Sequence, residues 1–115
     1  MSDRELLELA AKAASIDVVW NENWKCFQRK EPLLGLGGDR HAWVPLDDDG
    51  DALRLAATLG LMLNTHGMGL GAHTTPGQTP EAHATAPECD DANHMSSLRR
   101  CIVRAAAEIG RAMEN

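Results

Sequence analysis

A chain of 115 residues with a formal net charge of −6 suits one compact domain, and we expect that domain to cover residues 1–115. The acidic balance argues against sequence-independent binding of nucleic acid, which needs a basic surface to displace counterions, and against an anionic membrane surface. No apolar run approaches the roughly 20 residues that span a bilayer. We therefore expect neither a nucleic-acid partner nor a membrane partner.

The composition predicts a thin hydrophobic core. Hydrophobic residues make up 43% of the chain, but aromatic residues only 3%, so alanine and leucine must supply most of the buried surface. A small domain of this kind has only marginal stability alone, and we therefore expect a homo-oligomer. The 3 cysteines are odd in number and lack close pairing, which is typical of reduced thiols and favours a cytoplasmic location.

The first part of the chain predicts a helix followed by a hairpin. Ser2 and Glu5 have the spacing of a capping box, and leucines and alanines follow at helical spacing over about residues 3–14. A period-two pattern from Ile16 to Asn21, a turn, and a second extended run from Trp24 to Phe27 then predict two paired strands. A glycine-rich loop follows, and it ends in a short extended piece.

The segment from Trp43 to Gly60 predicts an acidic turn and a short helix over about residues 49–59. Asp47 and Asp48 are placed to cap this helix, and Asp51 adds negative charge near the positive end of the helix dipole. Gly60 is the expected C-terminal stop. The residues expected to face the core are Leu53, Ala56, Leu59 and Gly60.

The remainder predicts a second hairpin and a long helix. Alternation over residues 61–66 predicts a third strand, residues 67–80 are expected to form a loop, and weak alternation over 81–86 predicts a fourth strand that pairs with the third. A loop over 87–91 leads into a helix over about residues 92–113. The expected buried stripe of this helix is Leu98, Ile102, Ala105, Ile109 and Ala112, and its expected wet side is Arg100, Arg104, Glu108 and Arg111.

This order of elements indicates an α+β fold, in which a small antiparallel sheet of about four strands packs against three helices.

The motifs that suggest chemistry are incomplete. The acidic run at 47–51 does not form a calcium loop, because Pro45 and Ala56 stand where ligands are required. The Gly67–Ala72 stretch matches a dinucleotide fingerprint, but no helix pattern follows it.

The five histidines and 3 cysteines also lack metal-site spacings, although His66, His73 and His83 would converge if the third and fourth strands paired. No serine or cysteine stands in a nucleophile motif. We therefore predict no catalytic residue, no metal, no cofactor and no enzymatic activity.

Cationic residues are concentrated in two places, the last helix and the early loops. If these regions meet, their guanidinium groups form an anion pocket in an otherwise acidic protein. The alternative is that the arginines are solvated and pair along the helix. The candidate ligand-binding residues are Arg99, Arg100, Arg104, Trp43 and Arg40.

Three blocks of sequence, residues 4–14, 45–56 and 99–110, together resemble small phage and prophage proteins of the phage ABA-sandwich domain family, whose function is unknown. The resemblance does not cover the loops at 30–42 and 67–90. It implies an α-β-α sandwich and an origin in a temperate phage. It supplies no catalytic residue that could be transferred to this chain.

From these observations we expect a non-catalytic accessory protein of a phage or prophage that acts in the bacterial cytoplasm. The main hypothesis is counter-defence, in which an oligomer sequesters a nucleotide-type immune signal of the host. The alternative is an inhibitor or adaptor that binds a host protein through the acidic turn at 47–49. A second alternative is a small metal-dependent hydrolase.

Overall fold

The computed structural model describes residues 2–30, 42–66, 69–85 and 94–114. Within these ranges the chain forms three helices and six strands, which confirms the α+β class. The helices are α1 (Asp3–Ala13), α2 (Asp49–Leu59) and α3 (His94–Met113), and the strands are β1 (Val18–Asn21), β2 (Cys26–Arg29), β3 (Ala42–Trp43), β4 (Met62–Asn64), β5 (Gly71–His73) and β6 (His83–Thr85).

The described strands form two antiparallel sheets of three instead of one sheet of about four. Sheet A has the order β1-β2-β3, and sheet B has the order β4-β5-β6. The strand expected over 81–86 is present as β6, but it pairs with β5 and not with β4. The prediction of a loop over 67–80 is therefore wrong for residues 71–73, which form the central strand of sheet B.

The composition of β5 explains why its pattern was missed. Glycine and alanine are depleted in strands, so Gly71 and Ala72 carry no strand signal of their own. The position nevertheless requires glycine, because a Cβ atom on Gly71 would collide with the backbone carbonyl oxygen of Ala84 on β6. Close approach of two backbones, and not local propensity, makes this segment a strand.

Helix α3 lies at the centre of the molecule and contacts α1, α2, β5 and β6. Ion pairs at both ends, Asp3 with Arg100 and Lys12 with Glu114, show that α1 and α3 run parallel. Because α3 has neighbours on several sides, it buries most of its length up to Gly110, including residues outside the predicted stripe. Ala112, which was expected on that stripe, lies beyond this stretch and is exposed.

The predicted caps at the start of α1 and at both ends of α2 are confirmed. The Ser2 hydroxyl accepts a hydrogen bond from the Glu5 amide at 3.2 Å and caps α1. The Asp48 carboxylate accepts from the Asp51 amide at 2.8 Å and caps α2. Gly60 ends α2 in the left-handed conformation, with φ of 66°.

The buried face of α2 differs from the expected one. Leu53 was expected to face the core, but it is 60% exposed, and the core-facing residues are Ala52, Leu55 and Ala56. The helix is rotated from the expected orientation because Asp51 turns its carboxylate inward and is 3% exposed. An ion pair in the interior therefore decided which face of α2 is buried.

Candidate functional site

The candidate ligand-binding residues do not form a single pocket. Arg40 lies outside the described residues. The other four candidates are Trp43 on β3 and three arginines on α3, and each has a different environment.

Trp43 is a core residue, which corrects its assignment to a ligand site. It faces Phe27 in the register of β2 and β3, and its side chain is 0% exposed. Its buried Nε1 has no hydrogen-bond partner within the part of the chain that the structure describes. The sequence does not show which face of a short strand is covered. Strand pairing turned this indole inward, where no surface ligand reaches it.

Arg99 fastens α3 to the acidic turn before α2. Its guanidinium donates to the Leu46 carbonyl oxygen at 2.8 Å, to the Asp49 carboxylate at 2.6 Å and to the Ser96 hydroxyl at 3.0 Å. These contacts occupy the guanidinium with protein acceptors. Arg99 therefore stabilises the contact between α3 and the acidic turn, and its guanidinium does not form a binding site for an anion.

Arg100 fastens α3 to the start of α1. Its two terminal nitrogens donate to the two carboxylate oxygens of Asp3 at 2.9 and 3.2 Å. The hydrogen bonds from Arg100, helped by its charge and opposed by partial desolvation, lower the pKa of Asp3 below 3.8. This bidentate pair is likewise part of the interface between the two helices.

A buried ion cluster joins sheet A to α2, and the sequence did not predict it. The Asp51 carboxylate accepts from Arg29 at 3.3 Å, from Arg54 at 2.7 Å and from the Val44 amide at 2.9 Å. Arg29 is 6% exposed. A buried charge is tolerated only when it is paired and hydrogen-bonded. The cluster therefore sets the position of α2 against β2 and β3.

Arg104 lines a pocket of about 170 Å³ at the contact between α1 and α3. Arg111, two helical turns further on the same face, lines this pocket as well. The sequence placed both residues on the wet side of the helix but proposed only Arg104 as a ligand-binding residue. The remaining lining residues are Leu6, Ala107 and Glu108.

The charge balance of this pocket is positive. Among the described residues that line it, there are two guanidinium groups and one carboxylate, that of Glu108. That carboxylate also accepts a hydrogen bond from the His83 amide at 3.2 Å, so it is engaged with the edge of sheet B. Leu6 and Ala107 provide an apolar floor. We call this site the Arg104–Arg111 pocket.

The acidic turn is mostly engaged within the protein. Asp48 caps α2 and lies 3.8 Å from Arg54, and Asp49 pairs with Arg99. Asp47 is exposed. The negative surface available to a basic partner is therefore smaller than three consecutive aspartates suggest.

The described residues contain no group of three His, Cys, Asp or Glu side chains that could hold a metal ion. His73 and His83 do converge, because they face each other in the register of β5 and β6. His66 lies beyond the end of β4.

Comparison with family models, with curated proteins and with solved structures gives no match for this chain. The resemblance to the phage ABA-sandwich family therefore stays a prediction. No helix in the described ranges is both long and apolar enough to cross a membrane.

Proposed function

We propose that this protein is a non-catalytic binding protein that holds a phosphate-bearing, nucleotide-type ligand at the Arg104–Arg111 pocket. The observation that carries the proposal is the pair of arginines, which outnumber the carboxylates among the described lining residues in a protein of net charge −6. A phosphate group matches the planar donor fork of arginine and accepts paired hydrogen bonds from it. Local positive charge in an acidic chain favours an anionic small molecule over nucleic acid.

The size of the pocket defines which part of a ligand it takes. Its volume of about 170 Å³ is smaller than the roughly 300–1,000 Å³ typical of sites that enclose a whole small molecule. We therefore assign it to a phosphate group and not to a complete nucleotide.

A neighbouring groove offers room for the rest of the ligand. This groove, between α1 and the end of α3, has a volume of about 420 Å³ and shares Arg111 with the pocket. Its carboxylates are acceptors for ribose hydroxyl and base amino groups. A ligand that spans both spaces would place its phosphate at Arg104 and its nucleoside along α1. The groove is lined by Glu5, Glu8, Leu9, Lys12, Arg111 and Glu114.

The biological role we propose is counter-defence by a phage or prophage, with the protein acting as a homo-oligomer in the bacterial cytoplasm. Support for this role comes from the resemblance to small phage proteins, together with a pocket whose described lining residues include two arginines and no nucleophile. A protein that binds a nucleotide signal without transforming it would act by sequestration. Its effect would then depend on its amount relative to the signal.

Calorimetric titration of the full chain with a panel of cyclic oligonucleotides and ADP-ribose derivatives tests the proposal. We expect one member to bind, and we expect Arg104→Gln combined with Arg111→Gln to weaken binding at least about tenfold, a loss of about 1.4 kcal/mol. Lys30→Gln is the matched control, since it removes one exposed positive charge elsewhere in the protein. No heat with any ligand, or equal affinity in the double variant, would overturn the proposal.

A second candidate function, an inhibitor or adaptor that binds a host protein, is favoured by one observation. Trp24, in the turn between β1 and β2, is 60% exposed, and exposed tryptophan is enriched at the centres of protein interfaces. Pull-down from host lysate discriminates between the two functions. A stoichiometric partner that is lost with Trp24→Ala or Asp47→Asn, but kept when Arg104 and Arg111 are replaced, favours the adaptor.

A further inference from the structure

Sheet B carries two exposed histidines that are cross-strand neighbours. From their geometry we propose that His73 and His83 bind a divalent cation of the zinc type on the outer face of this sheet. The cation would join β5 to β6, and water would complete its coordination. This site is separate from the Arg104–Arg111 pocket and does not depend on the proposed ligand.

The hydrogen bonds of the sheet show which kind of cross-strand pair the two histidines form. The Thr74 amide donates to the Ala82 carbonyl oxygen at 2.9 Å, and the His83 amide points away from β5 to Glu108. His73 and His83 therefore form a non-hydrogen-bonded pair of the antiparallel ladder. In such pairs the Cα atoms are about 4.5 Å apart and the side chains share one face at the closest cross-strand spacing.

The ring of His73 already has the arrangement of a metal ligand. Its Nδ1 lies 2.9 Å from the Thr74 carbonyl oxygen, which can only accept, so Nδ1 carries the proton. The lone pair is then on Nε2. Metal-binding histidines commonly use one ring nitrogen on a backbone carbonyl in this way, which orients the ring and leaves the other nitrogen for the metal.

The surroundings of the pair favour a cation. His73 and His83 line a surface pocket of about 240 Å³ together with Glu81, whose carboxylate adds negative charge. Imidazole nitrogen suits zinc, copper and nickel, whereas magnesium and calcium prefer oxygen ligands. The described residues supply no third ligand within reach of a metal. Structural zinc sites have four protein ligands and catalytic ones have three, so a two-histidine site would leave most of the coordination to water.

The bound cation would link two strands whose inward-facing side chains contribute little packing. The inward-facing residues of β5 and β6 are Ala72 and Ala84, both buried but small. A cation that binds the folded protein, and not the unfolded chain, stabilises it by an amount that grows with the logarithm of the free cation concentration above the Kd. The expected consequence is a thermal midpoint that rises with zinc concentration.

Titration of the EDTA-treated full chain with zinc chloride tests the proposal. We expect binding of one zinc per chain that is weakened more than about tenfold by His73→Ala and by His83→Ala, since even loss of a supporting hydrogen bond costs about 10–100-fold in metal affinity. His66→Ala, at an exposed histidine outside the pair, should keep the wild-type affinity. Magnesium chloride should give no heat.

A second measurement covers the case in which a variant does not fold. In the wild-type protein, the imidazole signals of His73 and His83 in nuclear magnetic resonance spectra should shift together on addition of zinc. Absence of zinc binding, unchanged affinity in both alanine variants, or zinc-induced shifts confined to other histidines would each overturn the proposal.

Discussion

The two halves of the molecule pack by opposite means. Where α1, α3 and sheet B meet, small residues let backbones approach closely. Where α2 meets sheet A, large side chains and buried charges fill the space. This difference predicts which substitutions each half tolerates.

The close packing of the small-residue half depends on glycines that carry no Cβ atom. A Cβ atom on Gly110 of α3 would collide with the backbone of Leu9 on α1, and a Cβ atom on Gly71 would collide with the backbone of Ala84. Between these points the interface is filled by alanines, of which Ala10 and Ala106 are 0% exposed. Packing this close gains dispersion energy over many short contacts, but it leaves no room for added volume.

The large-residue half depends on the presence of particular groups. Trp43 and Leu55 are among the largest fully buried side chains of the described residues. The Asp51 carboxylate holds Arg29 and Arg54, so removal of a single group leaves charges in the interior. The small-residue half should therefore be destabilised by added side-chain atoms, and the large-residue half by the removal of a side-chain group.

The largest effect is expected for Asp51→Asn. The substitution keeps the shape of the side chain but removes the negative charge that compensates the Arg29 guanidinium in the interior, and breaking a buried pair costs about 3–5 kcal/mol. The free energy of unfolding from urea titration measures the loss. Asp47→Asn, on the exposed part of the same turn, should change that free energy by less than about 0.5 kcal/mol. A loss below about 1 kcal/mol in Asp51→Asn would show that the cluster does not hold the two elements together.

A smaller change in stability is expected for Gly110→Ala. Whether the variant is more or less stable tests the close packing of α1 against α3. Replacement of glycine by alanine within an exposed helix normally stabilises it by up to about 1 kcal/mol. Here the added methyl group would push α1 away from α3, and overpacking of this kind costs about 1–3 kcal/mol. Thermal unfolding of the variant gives the sign. Ala112→Gly, at an exposed position of the same helix, reports helix propensity alone. A stabilised Gly110→Ala variant would contradict the close packing.

The smallest change in stability is expected for Asp3→Asn, at the exposed edge of the interface between α1 and α3. Arg100 lowers the pKa of Asp3 in the folded protein, so the pair contributes stability above the unfolded pKa of about 3.8. That contribution is lost as the pH falls through the lowered pKa of the folded state. Because the carboxylate is largely exposed, the contribution at neutral pH should be below about 1 kcal/mol. Urea titrations should separate wild type and variant at pH 7, and the two should converge in strong acid. A difference that persists there would exclude the ion pair as its cause.

Some elements were predictable because their signals are local. Helix α2 begins and ends where the acidic turn and Gly60 indicated. The Ser2 cap and the first pair of strands could also be predicted from the sequence. These features depend on neighbours within a few residues, and capping and alternation report such neighbours directly. The exposed face of α3 at Arg104 was also predictable, since charge at helical spacing marks solvent.

Other features depended on contacts between distant segments. The pairing of His73 with His83 required β5, whose Gly71 and Ala72 carry no strand signal. The pocket at Arg111 required α1 to lie beside α3, because Leu6 of α1 is part of its lining. Arg99 and Arg100 looked available in the sequence, yet their acceptors Asp49 and Asp3 come from other helices.

The sequence by itself determined the class of fold, three helices with short antiparallel strands, because periodicity and capping are properties of adjacent residues. Only the tertiary structure decided which charges are buried and which remain at the surface. Asp51 illustrates the reason. The helix dipole stabilises a carboxylate at a helix start whether it is buried or exposed. Asp51 is buried because Arg29, which lies on a strand distant in sequence, pairs with it. The pairing of β5 with β6 has the same origin, since it depends on the close approach of the Gly71 backbone to that of Ala84.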